Sequence, residues 1–149
     1  MAMNSERAPE IKLLLTKEQA DEKGIKGKAA RYYKETGELF VNMTYPAVSE
    51  MTELLEHEYA ATADIENMRK LARVLAEQTI VVRVGRAVIF AIAKKLNQEW
   101  TLDDMDRAQS PESLSLAADD FSDSLQNCRR TMGKALRTAR QGAEQLEVT

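Results

Sequence analysis

Apolar positions concentrate in one long segment, residues 65–96, whose centre has the sequence TIVVRVGRAVIFAIA. Its β-branched residues favour strand by propensity, but the run is too long for one strand and no turn residue interrupts it. One row of positions recurs at steps of three and four: Ile65, Met68, Ala72, Leu75, Thr79, Val82, Arg86, Ile89, Ala93 and Leu96. A second row lies beside it: Leu71, Val74, Gln78, Val81, Gly85, Val88 and Ile92. This period predicts a central helix that is buried on several sides.

The clearest strand signal lies in residues 29–43, where two β-rich runs flank the tetrapeptide KETG, which ends at Gly37. A short loop ending in glycine between two such runs is typical of a β-hairpin. The apolar residues of segment 11–15 are compatible with a further short strand. Thr16 and Gln19 have the spacing of a capping box, which predicts a brief helix after them.

Three further helices follow from their start signals. Pro46 suits the first turn of a helix that carries an apolar stripe as far as Tyr59. Thr62 or Asp64 caps the central helix, and Thr101 caps a short helix at 102–107. Ser110 and the proline after it predict the start of a last helix at 111–140. That helix carries a heptad stripe: Leu114, Ala118, Phe121, Leu125, Cys128, Met132, Ala135 and Ala139.

These elements predict an α+β, mostly α fold, in which a small β-hairpin packs on a bundle of three to four helices that includes one long central helix. A chain of 149 residues fits one domain. We expect a flexible N-terminal head at 1–10, a single helical domain at 11–141 and a flexible tail at 142–149.

Composition narrows the class of protein. A net charge of -3 and a pI near 5.3 argue against a protein built mainly to bind nucleic acid. One cysteine, Cys128, excludes an internal disulfide. The apolar run is too short for a membrane span and contains two arginines, so we expect no membrane association. The polar start of the sequence lacks the apolar core of a signal peptide, which makes the cytoplasm the expected location.

Candidate chemistry is sparse. His57 is the only histidine, and its acidic neighbours on a helix favour a solvent-exposed ion pair over a general base. The segment that contains Asp103, Asp104 and Asp106 lacks the glycine and the terminal glutamate of a calcium-binding loop. The GIKGK segment lacks the spacing of a phosphate-binding loop. We therefore expect no catalytic residue, no cofactor, no metal and no small-molecule substrate.

The last helix supplies the candidate interaction residues, which are Leu114, Phe121, Leu125, Met132, Arg129 and Arg130. Its heptad stripe packs either on the central helix of its own chain or on a partner, and the sequence leaves both open. The second alternative, together with a central helix that is apolar on two rows, predicts a homodimer or a protein partner. The basic second half of the helix suits phosphates, but its acidic first half would repel nucleic acid, so nucleic acid is the less favoured partner.

Arg83 and Arg86 interrupt the central apolar run. A buried guanidinium needs a carboxylate, backbone carbonyls or water. The nearest acids by element order are Asp119, Asp120 and Asp123, and we expect Arg86 above all to form a buried ion pair with one of them. The alternatives are a groove for an anionic partner, or side-chain stems that run along the core edge.

Three segments carry a family resemblance: AARYYKETGELFVNMTYP, EQTIVVRVGRAVIFAIAK and EWTLDDMDRAQSPESLSLAADD. Their order resembles the C-terminal region of large bacterial ATP-binding proteins of the histidine-kinase-like ATPase superfamily, which includes gyrase and a heat-shock chaperone. Residues 31–42 resemble a small β unit of that family, and the helix through Val84 resembles its long helix. Trp100 and residues 110–114 resemble a tryptophan that is followed by an acidic turn and a Ser-x-Glu-(Ser/Ala)-Leu segment in that family. The resemblance covers residues 29–133.

The nucleotide site of that superfamily needs a helical asparagine for Mg²⁺ and an Asp-x-Gly-x-Gly box, and this chain has neither. The resemblance therefore implies no ATP-site residue here. It implies a non-catalytic interaction or dimerisation module, the C-terminal part of a larger ATP-dependent protein. The alternative function is a small nucleic-acid-associated regulatory protein that uses the basic end of the last helix.

Overall fold

The computed structural model describes the backbone of residues 8–148 and the side chains of residues 8–137. Its elements in chain order are β1 (Glu10–Leu14), α1 (Lys17–Glu22), β2 (Ala30–Tyr33), β3 (Glu38–Asn42), α2 (Pro46–Glu58), α3 (Ile65–Leu96), α4 (Leu102–Ala108), α5 (Pro111–Asp119) and α6 (Ser122–Val148). This is the predicted α+β, mostly α fold, with one long central helix. The expected head lies largely outside the described residues, and α6 extends past 142, where the sequence predicts a tail.

The three strands form one sheet in the order β1-β3-β2. The predicted hairpin is present: β2 pairs antiparallel with β3, and Gly37 takes a φ of 74° in the turn, a conformation that glycine adopts without strain. β1 pairs parallel with β3 on its other side. α1 and the loop after it keep the chain at the edge where β1 ends, and β2 then carries it back to the edge where β1 starts. β3 is therefore the central strand. Phe40 packs with Leu14 towards α1, while Leu39 and Val41 enter the main core.

α3 has the predicted bounds, and Asp64 caps it by accepting the backbone N–H of Asn67 at 3.1 Å. The other main-core helices, α2, α4, α5 and α6, all pack against it. The side chains of α3 that enter the core are Met68, Ala72, Ala76, Ile80, Val84, Val88, Ala91 and Ile92. This row mostly repeats every four residues and follows neither predicted row along its whole length. α3 is packed on several sides, as predicted, but each predicted row is buried only in part, because no described element covers the side of α3 that faces away from the bundle after Val82.

The last predicted helix, 111–140, is two helices. α5 ends at Asp119, and Asp120 leaves the helix with φ -87° and ψ 67°. Aspartate is a weak helix former because its short polar side chain competes for backbone groups. Here both carboxylates are also engaged outside the helix, Asp119 with Tyr45 and Asp120 with Arg83. Because of this break, α5 lies against α3 and the hairpin, while α6 runs in a different direction.

A buried serine joins α5 to the sheet. The hydroxyl of Ser115 accepts the backbone N–H of Ala29 at 2.9 Å and donates to the carbonyl of Pro111 at 2.6 Å. The hydroxyl thus satisfies the Ala29 N–H next to β2 where water is excluded. No described helix combines the length and the apolar character that a membrane crossing requires.

Candidate functional site

The side of α3 that faces away from the bundle is apolar and exposed. Between residues 74 and 96, the exposed residues of α3 are Val74, Gln78, Val82, Arg86, Ile89, Phe90, Ala93 and Leu96, and we call this set the outer face of α3. Six of the eight are apolar, and Arg86 is the only charged one. The solvent side of a surface helix normally carries polar and charged residues. The outer face therefore differs in composition from an ordinary solvent-exposed helix surface.

The course of α6 explains why this surface is bare. α6 covers the N-terminal half of α3, where the Thr79 hydroxyl lies 3.2 Å from the Cys128 sulfur. It then continues towards the loop before α3, where the Tyr59 hydroxyl donates to the carbonyl of Arg129 at 2.7 Å. Because α6 starts beside the middle of α3 and leads away from its C-terminal half, no described element covers Val82 or the outer-face residues that follow it.

The exposure of the outer face is substantial. Val82 is 46% exposed, Ile89 48%, Phe90 55% and Leu96 51%. The Phe90 ring meets Trp100 edge-on at 5.7 Å between centroids, which ties the segment after α3 to this surface. A Cβ placed on Gly85 would meet no atom within 4 Å. No contact within the described chain thus requires glycine in mid-helix, where it costs about 1 kcal/mol relative to alanine.

The structure gives the predicted interaction residues a different role. Leu114 and Met132 are fully buried, Leu125 and Cys128 lie in the same core, and Phe121 packs against it partly exposed. The heptad stripe packs within its own chain up to Met132, which is one of the two alternatives that the sequence leaves open. In that range Phe121 stays partly exposed, and the other residues of the stripe are buried in the core of the described chain.

The predicted buried ion pair is wrong for Arg86, whose side chain is exposed on the outer face. Arg83 forms the pair instead, with Nη2 3.0 Å from Oδ2 of Asp120, while its Nε donates to the carbonyl of Ala117 at 3.3 Å. Asp120 is 76% exposed, so the pair lies at the surface. The break after α5 causes this difference, because it places Asp120 beside Arg83. Asp123 is exposed and has no ion pair among the described side chains.

The loss of stability on replacing each arginine is expected to be larger for Arg83 than for Arg86, which is the reverse of the sequence prediction. Arg83→Ala should lower the free energy of unfolding by about 1 kcal/mol, because a pair at the surface is screened by water. Arg86→Ala should change it by less than about 0.5 kcal/mol at dilutions where the chain is monomeric. Urea unfolding of both variants measures this, and a larger loss for Arg86→Ala than for Arg83→Ala would contradict the assignment.

Asp119 is engaged by a tyrosine. The hydroxyl of Tyr45, at the start of α2, donates to Oδ1 of Asp119 at 2.8 Å. Burial raises the pKa of Tyr45 to about 12, and the hydrogen bond and negative charge of Asp119 act in the same direction. The phenol is thus held protonated and joins the start of α2 to the end of α5.

This pKa predicts a loss of stability at high pH. An unfolded tyrosine titrates near pH 10, so from about pH 10 to 12 the unfolded chain loses this proton before the folded chain does. The contribution of Tyr45 is complete below pH 10 and falls by about 2 kcal/mol as the pH rises towards 12. Denaturant unfolding of wild type and Tyr45→Phe should differ by a constant amount below pH 10, and this difference should decrease above it. A constant difference up to pH 12 would contradict the assignment.

A second surface feature is a cavity of about 970 Å³ between the segment from Glu58 to Asp64 and one side of α6. We call it the α6 basic groove, because Arg129, Arg130 and Arg137 line it. Glu58 neutralises part of its charge, since its carboxylate accepts Nε–H of Arg129 at 2.7 Å. Asp64 also lines the groove, so its described lining carries three arginines against two carboxylates and is weakly positive.

Groups with reactive potential are dispersed. His57 is exposed on α2, and Cys128 is buried with its sulfur against Thr79. Within the part of the chain whose side chains are described, no three His, Cys, Asp or Glu residues come together as a metal site would require. The outer face of α3 and the α6 basic groove therefore remain as the candidate sites.

Comparisons of the chain with protein-family models, with curated proteins and with solved structures find no match. The resemblance to the histidine-kinase-like ATPase superfamily thus stays a prediction that rests on the three quoted segments.

The sequence does not show which part of the first predicted row stays exposed in the isolated chain. Val82, Ile89, Ala93 and Leu96 all belong to the first predicted row, whose apolar period predicts burial without showing whether the same chain or a second copy covers it. The available signal was the heptad spacing of this row around Arg86. A charged residue at such a position is typical of helix pairing between chains.

Proposed function

We propose that this chain is a non-catalytic interaction module that forms a homodimer through the outer face of α3. The observation that carries the proposal is the run of exposed positions on α3 between residues 74 and 96, which are mostly apolar and include a single charge. A contiguous exposed apolar patch is uncommon on a monomeric protein and marks interaction sites.

The residue types also suit an interface. Aromatic residues and arginine are enriched in protein interfaces, while lysine and acidic residues are depleted from their cores. Phe90 and Arg86 are present on the outer face, and it carries no lysine, aspartate or glutamate. Gly85 also suits an interface on α3, since glycine allows another backbone to approach closely.

Copies of this chain that carry two different tags test the proposal. When both are expressed together at equal levels, purification through one tag should retain the second copy at about half the amount of the first, since random pairing gives about two mixed dimers for each dimer that carries the same tag twice. The Leu116→Glu variant should behave like wild type, since its 70% exposed side chain belongs to α5 and is not part of the outer face. Recovery of only the tagged copy would refute the homodimer.

We further propose that the module is the C-terminal part of a larger ATP-dependent protein, and that it dimerises that protein. The order of the three quoted segments supports this. The nucleotide site would then lie elsewhere in that protein, and we expect no saturable heat when Mg-ATP is titrated into this chain at micromolar concentrations. Saturable binding in that range would contradict the absence of a nucleotide site.

The α6 basic groove favours a second candidate function, contact with nucleic acid. The three arginines in its described lining offer charges for phosphates, but Glu58 already pairs with Arg129, and Tyr59 is the single aromatic side chain among the described lining residues. A gel mobility shift at low salt that weakens steeply with added salt, and is lost in Arg130→Ala/Arg137→Ala, would support this function over the first. Absence of a shift at low salt would exclude it.

A further inference from the structure

We infer that β1 binds an extended segment of another polypeptide, which adds a strand to the sheet on the side of β1 that faces away from β3. We call this side the open edge of β1. The sheet has the order β1-β3-β2, and the central residues of β1, Ile11, Lys12 and Leu13, are all exposed. An extended chain that pairs with a free sheet edge through main-chain hydrogen bonds is a recurring mode of peptide recognition. None of these residues belongs to the outer face of α3.

The main-chain groups of Ile11 and Leu13 point to the open edge. The N–H of Glu10 donates to the carbonyl just before β3 at 2.9 Å, and the carbonyl of Leu14 accepts the N–H just after β3 at 2.9 Å. The even-numbered residues of β1 thus pair with β3. Because main-chain groups alternate in direction along a strand, those of Ile11 and Leu13 face the opposite way.

The open edge is short and has defined ends. Pro9 has no N–H, and the N–H of Leu15 already donates to Oε1 of Gln19 at 2.7 Å. Ile11 and Leu13 therefore offer two N–H groups and two carbonyls, spaced as one extended segment pairs with them. Unpaired groups in such a row are a template for a further strand.

The side chains of Ile11 and Leu13 bring an apolar surface to the same edge. They lie in register with Leu39 and Val41 of β3 and share their face of the sheet. The two β3 residues are fully buried in the main core, whereas Ile11 is 39% exposed and Leu13 is 49% exposed. The main core is thus open at its rim beside β1, and apolar side chains at alternate positions of the added segment would cover it.

The charges at this edge define the occupant further. On the face opposite to Ile11 and Leu13, Lys12 pairs with Glu10 at 2.9 Å, and Glu38 of β3 lies in register with Glu10. Two carboxylates against one ammonium group give this strip a net negative charge. A basic residue opposite Glu10 would offset it, since opposite charges on facing strands stabilise the pair.

A second copy of β1 does not meet these requirements. In a two-fold antiparallel pair, the open groups of both copies are all satisfied only when Ile11 lies opposite Leu13. That register sets Lys12 opposite its own copy and joins two strips of the same net charge, which is unfavourable. A slide of two residues in either direction aligns an open carbonyl with Pro9 or Leu15, whose N–H is absent or already bonded. The expected occupant is therefore a different polypeptide.

Amide hydrogen exchange of the full chain tests this inference with the capped peptide Val-Lys-Val-Thr-Val-Lys-Val. Its valines match Ile11 and Leu13, its lysine matches Glu10, and its symmetric sequence fits either strand direction. Saturating peptide should slow exchange of the Ile11 and Leu13 amides about tenfold or more, because both are exposed to water without it. Unchanged exchange of these amides up to millimolar peptide would overturn the inference.

Two N-methylated peptides separate strand pairing from apolar adsorption, one methylated at the valines and the other at the lysines and threonine. Alternate N–H groups of an extended segment face its partner, so only one of the two peptides should lose binding. Binding retained by both would overturn the inference. In a peptide with glutamates in place of the lysines, affinity should fall, and an equal affinity would overturn the charge assignment.

A matched pair of variants tests the same edge from the side of the protein. Leu13→Pro removes one N–H at the open edge and no bond to β3, and it should weaken binding about fivefold or more. Leu13→Thr keeps this N–H and should weaken binding less. Equal loss in both would overturn the pairing. Slowed exchange at Ile11 and Leu13 on concentrating the protein without peptide would assign the edge to a second copy and overturn the choice of occupant.

Discussion

Ile89→Glu is expected to weaken self-association by about 100-fold or more while the folded monomer stays intact. Ile89 lies in the C-terminal half of the outer face, and its side chain is 48% exposed in the isolated chain. Dimerisation would bury this position in both copies, and a carboxylate without a partner there is costly to desolvate. The two-fold symmetry introduces the penalty twice, and loss of a central interface residue commonly costs about 2 kcal/mol or more. Sedimentation equilibrium measures the change.

Leu116→Glu is the matched control for this prediction. Leu116 is 70% exposed and belongs to α5, so the same change in charge and polarity occurs outside the outer face. Its dissociation constant should stay within about threefold of wild type. An equal loss of association in both variants would show that net charge rather than the outer face is responsible, and unchanged association in Ile89→Glu would exclude this position from the interface.

Leu114→Ala is expected to lower the free energy of unfolding by about 3 kcal/mol. Leu114 is fully buried on α5, in the core that it shares with α3. Truncation removes apolar contacts and leaves a cavity that the surrounding helices fill only in part, and such substitutions cost about 2–5 kcal/mol. Denaturant unfolding at a dilution where the chain is monomeric isolates the effect on the fold from the effect on association.

The control for the core substitution is Leu116→Ala, two residues further along the same helix. Because Leu116 is mostly exposed, its truncation should change the free energy of unfolding by less than about 0.5 kcal/mol. The sequence prediction that Leu114 belongs to an interaction surface implies a different pattern, in which Leu114→Ala weakens association and leaves the monomer nearly as stable as wild type. That pattern would contradict the packing described here.

Local signals predicted most elements of the fold. The helical period between Asp64 and Asn97 is uninterrupted, so the bounds of α3 follow from the sequence. The hairpin follows from Gly37, which a turn with positive φ favours. The parallel pairing of β1 with β3 was not predicted, because it joins segments nearly thirty residues apart and no turn residue encodes it. The break at Asp120 was missed because the heptad stripe continues through it.

The candidate site was harder to predict, because an apolar period shows that a helix face needs covering but not what covers it. On the N-terminal half of α3 the cover is α6, as the Thr79–Cys128 contact shows. On the C-terminal half the same row stays exposed. The difference depends on the direction of α6 after the break at Asp120, and this direction is set by tertiary contacts such as Tyr59 with Arg129. No local sequence pattern specifies it.

Light scattering during gel filtration, across a concentration series of the wild-type chain, tests the central claim most directly. The account predicts a mass of twice 16.8 kDa at high concentration, which falls towards 16.8 kDa on dilution as the outer faces separate. The same series on Ile89→Glu should stay at the monomer mass throughout. A wild-type mass fixed at 16.8 kDa at every concentration would contradict the homodimer.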